Sequence, residues 1–260
     1  MTRSRPPWPL IPLAAIGGLL LVLPFAALLI RVPWSDLGSI LRQPIVTDAL
    51  RLSVVSATAA TLVSLVLGVP LAWILARTVL PGASIARAVV LLPMVLPPVV
   101  GGAALLFAFG RRGVIGEPLY ESSGFLLPYS LWGVVVANTF VAMPFLIATV
   151  ESSLRSADLR YEEAATTLGA GRWTVFRRIT LPHAAPAIVT GSVLCFARAL
   201  GEFGATVTFA GNLQGRTQTM PLAVFLALES NREAALALSV LLVVVSLAVI
   251  IPLRDRWLGT

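Results

Sequence analysis

Six apolar stretches dominate the chain, at 10–30, 52–76, 88–109, 131–150, 187–210 and 234–253. Each is long enough to cross the hydrocarbon core of a bilayer, which takes about 20 helical residues. In lipid the backbone N–H and C=O groups find no water, so such a segment must satisfy them within itself as an α-helix. The expected fold is therefore all-α, a polytopic membrane protein with about six transmembrane helices. Mean hydropathy is +0.91 and only 12% of residues are charged, against roughly 25% in soluble domains. Arg3 and Arg5 precede the first stretch as they would in a signal peptide. Its apolar core is too long for that and no small-x-small cleavage site follows, so it reads as a retained helix.

The basic residues exclude several functions. All 19 are arginine. Without lysine there is no P-loop, whose lysine reaches the nucleotide phosphates, and no Schiff-base chemistry. A nucleic-acid binder gathers its cations on a soluble face, whereas here apolar runs separate them, so no nucleic-acid partner is expected. The arginines instead face anionic lipid and partner surfaces. Cys195 and His183 each stand alone, which leaves no disulfide framework and no cysteine-based metal site. No metal or other cofactor is expected.

Arginine placement also orients the chain. With the N-terminus inside, the inner segments hold Arg3, Arg5, Arg77, Arg87, Arg155, Arg160, Arg172, Arg177, Arg178, Arg254 and Arg256. The outer segments hold only Arg31, Arg42, Arg51, Arg111, Arg112, Arg216 and Arg232. Both termini are thus expected on the cytoplasmic side of a multi-pass inner-membrane protein.

Two spans carry internal signals. The second has small residues at every fourth position, Ser56, Ala60, Ser64, Gly68, Ala72 and Ala76, a stripe that lets another helix backbone approach closely. The third is interrupted by Pro93, Pro97, Pro98, Gly101 and Gly102. Broken backbone at membrane depth persists only where protein or a water-filled cavity covers it.

The inner loop 151–186 is the longest and the most charged. Ser156-Ala157-Asp158 offers an N-cap and an acid in the first turn of a helix. That helix runs to Leu168, where Gly169-Ala170-Gly171 forces a turn. A second short helix over 172–179 is expected to place Trp173, Phe176 and Ile179 on one face, with Arg172, Arg177 and Arg178 mostly on another. Pro182 and Pro186 then mark the start of the fifth span. A docking element for a soluble partner would have this form, and so would an amphipathic hairpin lying on lipid.

Glu163-Ala164-Ala165, three residues, Gly169, nine residues, Ile179, one residue and Leu181-Pro182 resemble the EAA loop of ABC importer permeases, in residue type, spacing and position between spans. The resemblance implies the type I ABC importer transmembrane fold. Residues 49–253 would form the transmembrane domain, preceded by a tail, peripheral first helix and outer loop at 1–48 and followed by a cytoplasmic tail at 254–260. It further implies that the loop sits in a cleft of an ATP-binding cassette subunit, with Glu163 and Gly169 at the interface and Gly169 permitting the tight turn. The implied partners are two such ATPase subunits, a second copy of this chain and an extracytoplasmic anion-binding protein. The chain itself would be a non-catalytic permease subunit.

In the fifth span, Arg198 and Glu202 lie four residues apart, on one helical face where they can pair. Ionisable residues within a span mark a functional site by default; here they either neutralise each other or meet the substrate. Gly201 and Gly204 allow close helix approach, and the hydroxyls of Thr206 and Thr208 offer donors to an anion. Residues 197–206, continued by Phe209-Ala210-Gly211-Asn212 and Thr219-Met220-Pro221, resemble the molybdate permeases of the sulfate, thiosulfate and molybdate branch. The implied function is ATP-driven molybdate import. The alternatives are import of sulfate, thiosulfate or tungstate, and an ion-coupled secondary transporter.

Overall fold

The structure, a computed structural model, describes residues 7–78 and 81–257, with side chains left out at 250 and 252–257. Arg3 and Arg5, and the side chains of Arg254 and Arg256, on which part of the arginine count rests, lie outside the described residues. The chain runs through α1 (Leu10–Arg31), α2 (Leu37–Leu41), α3 (Pro44–Arg77), α4 (Ala83–Val95), α5 (Pro98–Phe109), α6 (Gly116–Ser123) and α7 (Leu131–Ser156). It continues through α8 (Arg160–Thr167), α9 (Arg172–Val175), a π turn at Phe176–Thr180, α10 (Leu181–Leu200), α11 (Gly204–Phe209), α12 (Met220–Ser230) and α13 (Arg232–Trp257). Among the described residues there is no strand, as the six apolar stretches require.

Local chemistry places the ends of the two central helices. Pro44 opens α3, where a missing N–H costs nothing because the first-turn donors have no helical partner. Ser130 caps α7, its hydroxyl accepting from Gly133 N at 3.1 Å. These two helices form the axis of the bundle, and α10 packs against both. The small-residue stripe of α3 makes the contact: Ser56, Ala60, Ser64, Gly68 and Ala72 are buried and Ala76 is half-buried. A β-carbon on Gly68 would stand 3.2 Å from Ile147 Cγ1, and one on Gly191 in α10 would stand 2.9 Å from Leu146 Cδ1. Helix α1 touches α13 and buries none of its residues.

Four expectations need correction. The third apolar stretch is not one continuous helix: α4 and α5 meet at a bend of 117°. Pro97 and Pro98 account for it, since a residue before proline is pushed out of the helical region, and Leu96 and Pro97 are extended. The fifth stretch also breaks. Its helix ends at Leu200, and after Gly201-Glu202-Phe203 the chain restarts as α11. The second helix of the loop is not separate, because Arg172–Leu200 is one continuous helix. Pro182 does not stop it: the ring's clash with the preceding turn is relieved by the wider π turn just before it. Finally, the apolar helix α12 is not among the six expected stretches, being too short at 11 residues to register as a span.

The tight seam between α10 and α7 generates a prediction. Gly191→Leu should lower stability by about 1–3 kcal/mol, the usual cost of forcing extra carbons into a packed core. Gly17→Leu in α1, where a β-carbon meets nothing within 4 Å, should cost nothing measurable. Thermal unfolding of the detergent-purified protein separates the two.

Candidate functional site

Two regions hold the residues that the sequence singles out. The first is the hairpin at one end of the bundle. Helix α8 ends where Gly169 turns left-handed at φ +84°, a conformation open to glycine at little cost. Gly169 N donates to Thr166 O and Ala170 N to Ala165 O, both at 3.0 Å, so the closing turn takes up carbonyls that the helix end strands. The turn stands clear of the rest of the protein: Glu163, Ala164, Gly169 and Arg172 are exposed, Ala165 is half-buried, and Leu168 and Trp173 are 88% and 71% exposed.

Trp173 and Phe176 are brought together, but they do not share one environment. Their rings stack at 5.6 Å, and Phe176 turns its other side edge-on to Trp73 of α3 at 5.7 Å. Trp173 therefore faces outward while Phe176 packs inward. Ile179 and Leu181 are half-buried and Pro182 is exposed. His183 donates through Nδ1 to Ile179 O at 2.8 Å, and its ring lies 5.4 Å from that of Tyr161.

Sequence reasoning missed the ion pairs that tie this end together. Glu162, beside the motif rather than in it, accepts from Arg77 Nη2 and from Thr180 Oγ1, both at 3.0 Å. Glu151 of α7 is buried and receives Arg87 at the start of α4, with Arg155 at 3.4 Å. Arg87 Nη2 also donates to Leu75 O at 3.1 Å, one of the last carbonyls of α3, which have no helical partner. The only sequence signal is that each of these charges flanks an apolar run, which is equally true of unpaired loop arginines.

The second region is where the two broken spans meet. A β-carbon on Gly204 would stand 2.8 Å from Pro98 Cβ, and one on Gly102 would stand 2.7 Å from Thr208 Cβ and 2.9 Å from Ala205 O. The breaks are thus pressed against each other, α5 on α11. Arg198 and Glu202 pair at 2.6 Å, but not along one helix, since Gly201 has already closed α10. The other oxygen of Glu202 accepts from Ala205 N at 2.8 Å, doing for α11 what an N-cap does. The Glu202 side chain is 1% exposed and that of Arg198 is 28% exposed.

Thr206 is fully buried, and its hydroxyl donates to Asn138 Oδ1 at 3.5 Å. Asn138 Nδ2 donates to Ser56 Oγ at 3.3 Å, and Ser56 Oγ to Ser53 O at 3.3 Å. Ser53 Oγ accepts from Met220 N at 2.7 Å. A buried polar chain therefore links α11, α7, α3 and α12. The hydroxyl that the sequence offered to an anion is spent inside the protein, and Thr208 Oγ1 donates to Gly204 O at 2.8 Å. Among the described residues, no three His, Cys, Asp or Glu side chains gather as a metal would need.

Comparison with known proteins extends these observations. Residues 68–259 match the family model described as the binding-protein-dependent transport system inner membrane component. The chain is 48% identical over 252 residues to the molybdenum transport system permease protein ModB of Mycobacterium tuberculosis, covering 96% of this chain and 94% of the relative. The ModB of Escherichia coli is 42% identical over 82% of this chain and 93% of its own length. The sulfate transport system permease protein CysT of Escherichia coli is 37% identical over 88% of this chain and 84% of its own. In fold, the chain resembles a subunit in the crystal structure of a bacterial alginate ABC transporter complexed with its alginate-bound periplasmic protein. The TM-score is 0.76 at 18% identity, over 96% of this chain and 94% of that one.

The geometry around Glu202 ranks its variants. Glu202→Ala removes both the partner of Arg198 and the cap on α11, whereas Arg198→Met leaves the bond to Ala205 N in place. Glu202→Ala should cost about 1–3 kcal/mol for the buried donor left unmatched, and Arg198→Met about 3–5 kcal/mol for the buried carboxylate left without its counter-ion. The double variant Arg198→Met with Glu202→Gln should recover part of the Arg198→Met loss, because no charge is left unpaired. Thermal midpoints of the purified variants test the order.

Proposed function

The chain belongs to the family of binding-protein-dependent transport system inner membrane components, and we propose that it is the transmembrane permease subunit of an ATP-driven molybdate importer. Two copies of the chain would pair in the membrane, with two ATP-binding cassette subunits on the cytoplasmic side and an anion-binding protein on the other. Both termini and the α8–α9 hairpin then lie on the cytoplasmic side.

The observation that carries this reading is the hairpin itself. It matches the EAA spacing, turns on a left-handed Gly169, and holds Leu168 and Trp173 clear of the bundle where a cleft in a partner can enclose them. Glu163, Ala164, Ala165 and Gly169 form the turn that enters the cleft, and Trp173 is its aromatic anchor. Phe176, Ile179, Leu181 and Pro182 join that turn to α10. Closure of the cassette subunits on ATP draws the two hairpins together and rocks the helices to face outward. The anion passes from its binding protein into the opened path, and hydrolysis resets the bundle. The chain supplies a gated path and no covalent chemistry.

Arg198 keeps an exposed edge while Glu202 is buried behind it. Arg198 then faces the path, Glu202 holds it, and Gly204 and Thr206 form the packed wall at its back. A paired arginine attracts a dianion without trapping it. The same pairing weighs against an ion-coupled secondary transporter, because the two oxygens of Glu202 are already engaged, one by Arg198 and the other by Ala205 N–H. The substrate reading follows the identities: two molybdenum permeases at 48% and 42%, a sulfate permease at 37%.

The test is uptake by the complete complex in lipid vesicles with ATP inside. Molybdate should accumulate only with ATP, the cassette subunit and the binding protein all present, and excess sulfate should compete poorly. Uptake without the ATPase would indicate a secondary transporter, and effective competition by sulfate would move the substrate to the sulfate branch. Gly169→Val should sharply reduce uptake, since a β-branched residue at φ +84° strains the turn by about 1–3 kcal/mol. Full uptake by that variant would contradict the role given to the hairpin.

A further inference from the structure

The α8–α9 hairpin must pass its motion to helices that it hardly touches. Helix α8 packs chiefly on α9 and on the π turn. Between it and the bundle lie two cavities, of about 240 Å³ beside Tyr161 and His183 and about 480 Å³ beside Trp73 and Phe176. Arg77, Glu162 and Thr180 line both, so they form the partition between two open spaces. Through that partition run the bonds from Arg77 Nη2 and Thr180 Oγ1 to a single oxygen of Glu162. The side chains of Arg77 and Glu162 are 10% and 20% exposed, which shields the bonds from the screening that makes surface pairs weak.

The three residues belong to different moving parts. Glu162 sits in the first turn of α8, Arg77 is the last residue of α3, and Thr180 ends the π turn. A π turn inside a helix is a recurrent functional feature. Helix α3 runs from Arg77 to the far end of the bundle, where Ser53 and Ser56 enter the buried polar chain to Asn138 and Thr206.

We propose that Glu162 is the transmission residue of the permease, the strut by which movement of the hairpin is passed to α3 through Arg77 and to α10 through Thr180. This rests on the ATP-driven import reading and names a residue outside the EAA motif. Pulling on the hairpin without the strut bends α8 into the flanking cavities and leaves α3 where it was. ATP is then hydrolysed with little transport.

The experiment measures ATP hydrolysed per molybdate imported by the complete complex in vesicles. An unmutated complex with no ATP-dependent uptake would defeat the import reading itself, so the variants are compared only in a complex that transports. Glu162→Gln should raise the ratio about tenfold, the factor carried by a lost charge-assisted hydrogen bond. The exchange Arg77→Glu with Glu162→Arg should bring the ratio back towards that of the parent. Thr180→Val, which changes no charge and little volume, should raise the ratio in the same direction by a smaller factor. A purely structural role would lower the yield of complex and leave the ratio alone. An unchanged ratio in both Glu162→Gln and Thr180→Val overturns the proposal, and so does an exchange that performs as badly as Glu162→Gln.

Discussion

A helix that stops at membrane depth strands backbone N–H and C=O groups in a medium that offers them no partner, and this chain stops two helices side by side. The break at Leu96–Pro97 and the break at Gly201–Phe203 cover each other. Gly204 lies on Pro98 and Gly102 on Ala205 and Thr208, too close for any side chain. What the packing leaves open, Glu202 closes by accepting from Ala205 N while it balances Arg198. Either break alone would be a defect. Together they form a region that holds its shape without continuous helix, which a changing path through a membrane requires.

The remaining fold supports that region from both ends. The small-residue stripe of α3 brings α7 close enough for Asn138 to reach Ser56 on one side and Thr206 on the other. In lipid such bonds are worth only about 0.6 kcal/mol each on average, so their value lies in fixing which helix faces which. At the hairpin end, charge fixes the helices in the same way. Glu151 gathers Arg87 and Arg155, and Glu162 gathers Arg77 and Thr180. The carbonyl of Leu75 in the last turn of α3 is taken up by Arg87. The bundle is thus braced by polar contacts at each end and by close apolar packing between them.

Much of this is legible in the sequence, for physical reasons. Apolar length gives the helices because lipid leaves the backbone no other option, and spacing gives the stripe on α3 because side chains four apart share a face. The EAA spacing and Gly169 mark the hairpin turn. The interruptions are legible unevenly. Pro97 and Pro98 suggest an interruption within one span, and the chain does break there, turning by 117°, while Pro182 and Pro186 suggest a boundary and are absorbed by a continuous helix. A proline's effect depends on whether the preceding turn can widen, and that is decided by packing. The break after Leu200 is hidden because Arg198 and Glu202 suit a continuous helix as well as a capped restart. Glu162 is hidden because its partners lie 85 and 18 residues away, and nothing local reports them.

The claim that the two breaks shield each other is tested most directly by amide hydrogen exchange on the intact protein in lipid discs, read residue by residue at the breaks. Val100 and Gly101 donate to Pro97 O, Val207 donates to Phe203 O, and Ala205 donates to Glu202. The account predicts that these four amides exchange as slowly as those in the middle of α7, and open together when they open at all. Exchange at either break as fast as in the surface segment around α6, or opening of one break while the other stays closed, would contradict it.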